Sequence, residues 1–152
     1  MTEMSIEALS LVTVQLFIDA YNRNIRKAYE QFAANEFEWR EGPTSWFPQG
    51  RSGGRREALE SVSLRERLLK DESLEIESSV VSANTVALEG VWRATVAKDS
   101  ARGRAGTKLE ARLAMFLRVK NAKITSSHEY VCTATVAAQK RKAAGAIVGT
   151  EN

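Results

Sequence analysis

The sequence predicts an α+β domain, with helices first and an antiparallel sheet after them, the helices packed on one face of that sheet. Three observations predict it. Apolar residues recur at helical spacing through the first part of the chain, then alternate with period two from Leu74 onward. Helices followed by a run of strands is the pattern of an α+β domain. The 152 residues, 43% hydrophobic and 27% charged, suit one globular domain. A chain of that size buries about 68–70% of its unfolded surface, enough for a core and an internal cavity.

Each element follows from local pattern. From Ser5 to Asn22, Leu9, Val12, Leu16, Phe17 and Ala20 recur at helical spacing, with Ser5 as N-cap. Asn24 caps a second, short helix with Ile25, Ala28, Tyr29 and Phe32 on one stripe. "EFEWRE" (36–41) alternates as a short strand, with Phe37 and Trp39 on one face. Gly54 leads into a third helix, whose apolar face carries Leu59, Val62, Leu68 and Leu69. Strands are predicted over 74–81, 85–96, 108–119 and 123–136, with "KNAK" as a tight hairpin turn. The domain spans 5–136, and 137–152 reads as a peripheral or mobile tail.

Between helix two and helix three lies "EWREGPTSWFPQGRSGGRREAL" (38–59). It holds both prolines, four of the nine glycines and two of the three tryptophans. Prolines stiffen a loop and glycines turn it. Tryptophans have no place in a plain surface loop, so the segment reads as an aromatic loop over a pocket.

Composition narrows the function. The net charge is +3, but basic and acidic residues interleave almost everywhere. Only "RGR" (102–104) and "QKRK" (139–142) are unbalanced, and neither is interleaved with aromatics, so nucleic acid is not an expected partner. No apolar run reaches a membrane span of about 20 residues, and the acidic N-terminus lacks the order of a secretory signal. Cys132 is the only cysteine, which points to a cytoplasmic protein without disulfides; it reads as a small buried hydrophobe. One histidine gives no metal-ligand spacing, and no phosphate-binding glycine motif is present, so no metal or cofactor is expected.

The order of elements resembles the nuclear-transport-factor-2-like superfamily, and within it the SnoaL-like branch, relatives of polyketide cyclases and ketosteroid isomerases. "FIDAYNRNIRKAYEQFAANEFEW" (17–39), "PQGRSGGRREAL" (48–59) and "MFLRVKNAKITSSHEYV" (115–131) carry the resemblance. It implies three helices held in a strongly bent sheet, a cone with an internal pocket, and a homodimer through the outer sheet face. Phe17, Tyr21, Trp39, Trp46, Phe47, Trp92 and Met115 are then the expected ligand-binding wall, mostly apolar.

The catalytic patterns of these relatives transfer only partly. Glu41 stands approximately where ketosteroid isomerases have their base, but Phe17 and Met115 replace the two oxyanion donors. Where limonene-epoxide hydrolases carry an Arg–Asp pair the chain has Gly90 and Trp92, leaving only Glu129 as a match. SnoaL-like cyclases often read Tyr-x-Asp in the last strand, and here the third residue is Cys132. The remaining candidates are His128, the only side chain titrating near neutrality when unperturbed, with Glu129, Glu41 and Tyr130. In a regular strand His128 and Glu129 face opposite sides. Two readings stay open: a cofactor-independent acid–base enzyme for a hydrophobic cyclic ligand, or a non-catalytic ligand-binding or dimerisation module. His128 is equally read as a residue at a dimer interface.

Overall fold

The computed structural model describes residues 3–133. The expected tail at 137–152 lies outside the described residues. The chain runs α1 (Ile6–Arg23), α2 (Ile25–Phe32), β1 (Ala33–Glu41), β2 (Arg51–Gly54), α3 (Arg55–Leu68), β3 (Leu69–Ser82), β4 (Thr85–Val96), β5 (Lys108–Lys120) and β6 (Lys123–Val131). One six-stranded sheet has the order β2-β1-β6-β5-β4-β3, giving the α+β architecture of the cone-shaped relatives.

The helix boundaries follow from their caps. Ser5 Oγ accepts from the Ala8 N–H at 3.1 Å, and Asn24 Oδ1 accepts from the Lys27 N–H at 3.1 Å, so one asparagine ends α1 and starts α2. At the start of α3, Glu57 Oε2 accepts from the Gly54 N–H at 2.9 Å. Of the apolar stripe of α2, Ala28 and Tyr29 are buried, and Ile25 and Phe32 pack half-buried against the core. On α1, Phe17 and Ala20 are buried as expected, but Val14, Ile18 and Tyr21 share their face, while Leu9, Val12 and Leu16 are exposed. The helix is apolar on two sides, so its spacing could not choose between them.

The sheet ladders are antiparallel except one. β1 pairs with β6 in parallel, aligning Trp39 with Ser127, Arg40 with His128 and Glu41 with Glu129. The strand predicted from Glu36 begins at Ala33 and reaches Glu41, and Arg51–Gly54 adds an edge strand where a loop was expected. β5 and β6 join through Asn121 and Ala122, both left-handed (φ 52° and 56°), as a two-residue hairpin on these right-twisted strands requires.

Register shifts interrupt β3 against β4 between Lys70 and Ser73 and again between Ile76 and Ser78. At the second, the backbone closes on Gly90, where a Cβ would sit 2.2 Å from the Glu75 carbonyl oxygen. Near the first, the Asn22 side chain at the end of α1 acts as a substitute strand. It accepts from the Leu74 N–H at 2.7 Å and donates to the Leu74 carbonyl at 2.9 Å.

The inner rows of β4 and β5, Val86 to Val96 and Leu109 to Val119, pack on α1 and α2. The outer face carries an ion-pair ladder: Arg93 to Glu75 (2.5 Å) and Glu110 (2.9 Å), and Arg112 to Glu77. Among the described residues no helix is long and apolar enough to cross a membrane.

Candidate functional site

Strand alternation decides which side chains reach the interior. On β1, Phe37, Trp39 and Glu41 are buried while Glu38 and Arg40 are exposed. On β6 a register shift near Ile124 leaves Ile124 and Ser127 on the inner face, followed by Glu129 and Val131. Because β1 and β6 lie side by side in register, Glu41 and Glu129 arrive at the same end of the sheet.

That end opens into a cavity to which every element contributes. Tyr21 and Tyr29 come from the first two helices, and Glu41, Arg51 and Arg65 from β1, β2 and α3. Leu74, Trp92, Leu113 and Met115 line the sheet side, with Glu129 and Val131 beside them. Thr44 and Trp46 close it from the 42–50 loop, and Arg102 from the β4–β5 loop. The space open to the centre of a water molecule is about 70 Å³. At 10–15 Å³ per water, that is room for about five to seven waters.

The larger part of the lining is apolar, as expected, but charged side chains that were not expected share it. Arg51 donates from Nη2 to Glu41 Oε2 at 2.9 Å and from Nη1 to Ser61 Oγ at 3.3 Å. Its guanidinium lies between two rings, 4.8 Å from the Trp39 centre and 3.9 Å from that of Phe47. Arg65 Nε is 3.4 Å from Glu72 Oε1, an oxygen that also accepts from Trp92 Nε1 at 3.0 Å. Arg102 is buried with its guanidinium carbon 4.5 Å above the Trp46 ring, and Trp46 meets Trp92 edge to face at 6.3 Å.

Glu129 stands apart from the other acids. It is half-buried and lines the cavity. Burial raises its pKa above the usual carboxylate value, and the Glu41 charge raises it further. Arg65 and hydrogen bonds from Ser127 (3.1 Å) and Trp39 oppose the rise without cancelling it. Tyr21 and Tyr29 are also pushed up, chiefly by burial, and stay neutral phenols.

The expected site residues separate into two groups. Tyr21, Trp46, Trp92, Met115, Glu41 and Glu129 line the cavity. Phe17 instead packs against Tyr21, Tyr29 and Phe32, and Trp39 and Phe47 hold Arg51 from either side. His128 and Tyr130 point to the outer face, where Tyr130 packs edge to face on Phe116. Cys132, expected to be buried, is exposed.

The arginines were not anticipated. Arg65 continues the inward series Ala58, Ser61, Val62 at helical spacing, so its place in the interior was readable. Arg102 belongs to "RGR", which looked like a solvated basic patch. The loop folds back on itself, with Ser100 and Gly103 exchanging backbone hydrogen bonds at 3.0 Å and Asp99 Oδ1 accepting from Ala105 N–H at 2.9 Å. That turn directs Arg102 inward.

Known structures share this arrangement of elements. AclR of Streptomyces galilaeus, a candidate hydroxylase, aligns at 14% identity over 90% of this chain and 87% of its own, with a TM-score of 0.75. IdmH of Streptomyces antibioticus, a candidate polyketide cyclase, aligns at 18% identity over 86% of this chain and 96% of its own (TM-score 0.73). An LEH-like epoxide hydrolase of M. tuberculosis aligns at 13% identity over 97% and 96% (TM-score 0.73). At such identities the likeness is one of fold. No curated protein matches the chain. The SnoaL-like domain, as a sequence family, matches residues 14–127, from the inner face of α1 to the inward serine of β6. The match covers most of the chain, and the protein belongs to the SnoaL-like family.

Proposed function

We propose that the cavity binds a small cyclic ligand and moves a proton on it without a cofactor, with Glu129 as the proton carrier. The observation that carries this reading is the pair of neighbouring carboxylates in unlike surroundings. Glu41 is tied to Arg51 at 2.9 Å, whereas Glu129 makes no ion pair among the described residues and burial raises its pKa above the usual carboxylate value. Two titrating groups with environments that differ in this way are the pattern of acid–base sites. A carboxyl with a raised pKa donates and recovers a proton nearer neutral pH, which raises its efficiency as a general acid or base. Trp46, Trp92 and Tyr21 supply flat surface for a ring. His128 and Tyr130, on the outer face, take no part in this chemistry.

Relatives of the same fold carry cyclase, hydroxylase and epoxide hydrolase names, which is consistent with a site that varies by lining residues. The test needs no substrate. Carbon-13 NMR of glutamate-labelled protein, with the Glu129 carboxyl assigned through Glu129→Gln, should show Glu129 titrating above the ordinary value of about 4.3. A Glu129 that titrates at that ordinary value would remove the proton carrier and leave a non-catalytic binding module.

A further inference from the structure

We infer that the ligand is a monoanion, a small ring carboxylate, whose negative group lies against Arg102 and Arg65. The inference rests on the reading of the cavity as a ligand site and names what enters it. Three arginines line the cavity, and two have acidic partners: Arg51 pairs with Glu41, and Arg65 with Glu72. Arg102 is 6% exposed and makes no ion pair among the described residues. Its neighbours Arg51 and Arg65 add to the effect of burial in making its charge unfavourable.

The magnitudes show the deficit. Desolvating an ion inside a protein costs more than a stacked aromatic ring returns. An anion beside Arg102 supplies what the Trp46 face does not.

Arg65 adds a second, independent observation. Its Nη2 is buried without a hydrogen-bond partner, and its Nε meets Glu72 at 3.4 Å as an ion pair without hydrogen-bond geometry. Buried donors are nearly always satisfied, and one left unmet is destabilising. Arg65 lines the cavity, so its charge, like that of Arg102, attracts a ligand anion there. A carboxylate has two oxygens in one plane, the shape a guanidinium binds best.

The charge count selects a monoanion. Arg102 is the one cavity arginine without an acidic partner among the described residues, so a single negative group answers it, and a dianion would be repelled by Glu41. Size agrees: a cavity with room for a few waters suits one small ring rather than a larger ligand. Trp46 and Trp92 would face that ring.

The test uses benzoate and its neutral analogue benzamide on the full chain. Binding is read by quenching of the fluorescence of the tryptophans, two of which line the cavity, and checked by calorimetry. Benzoate should bind at least 10-fold more tightly than benzamide. Arg102→Met should erase that preference, with folding verified by circular dichroism. If this variant does not fold, the benzoate-to-benzamide ratio on the unaltered protein decides the question. Equal binding of both probes would overturn the anion inference and leave the proton-transfer reading intact. Failure of both at millimolar concentration would overturn the ligand site itself. Displacement of benzoate by inorganic phosphate at matched ionic strength would refute the carboxylate assignment.

Discussion

At the scale of single residues, the proton on Glu129 links the site to stability. The groups facing it are Glu41 from β1, Arg65 from α3, and Tyr21 and Tyr29 from α1 and α2, with Glu72, Arg51 and Arg102 in the same cluster. Its pKa is raised on folding, so between the unfolded value of about 4.3 and the folded one the native state binds more protons than the unfolded state. Stability from this residue is therefore present at low pH and lost as pH rises through that window, by up to about 1.4 kcal/mol per pH unit. Glu129→Gln should be more stable than the parent protein at neutral pH, and the gap should close near pH 4. Urea unfolding at both pH values measures it; a glutamine variant less stable at pH 7 would show that Glu129 is a structural anion. Turnover, once a substrate is in hand, should fall by about 10²–10⁴ in the same variant. Both cavity glutamates were visible in the sequence as candidates. Arg102 was not, because the chain itself does not reveal which way a glycine-flanked loop turns.

At the scale of elements, two small features hold the site in place. Gly50 ends the aromatic loop with φ 72°, and a Cβ there would lie 2.6 Å from the Glu41 carbonyl oxygen. Left-handed backbone costs a side-chain-bearing residue about 1–2 kcal/mol, and the clash adds to it. Gly50→Ala should lower stability by at least that amount and displace Arg51 from Glu41, seen as a changed tryptophan emission spectrum. Asn22 links α1 to β3 by two hydrogen bonds to one residue. Asn22→Ala should destabilise by about 1–3 kcal/mol in chemical unfolding, since both Leu74 groups lose their partner. The glycine-proline loop announced its position in the sequence. Asn22 did not, because the helix-ending "NRN" explains an asparagine there without any tertiary contact. The buried face of α1 was equally hidden, since Leu9 and Leu16 are as apolar as Val14 and Ile18.

At the scale of the whole molecule, the period change from helical to alternating predicted the class and the two long hairpins. It could not predict the parallel β1–β6 ladder, because pairing between distant strands leaves no local pattern. The outer sheet face is proposed as a self-association surface, as Phe116 and Tyr130 stay 45% and 53% exposed there with His128 beside them. Light scattering at micromolar concentration should give the mass of a dimer, and Phe116→Glu that of a monomer; a monomeric parent protein would refute the surface. The β1–β6 ladder also governs how the site comes into being. During synthesis Glu41 leaves the ribosome long before Glu129, and β1 has no central neighbour until almost the whole domain has emerged. Such long-range pairing slows folding. The cavity is therefore completed only with the last strand, and a chain broken off before β6 would carry the aromatic loop and all three cavity arginines without the carboxyl at their centre.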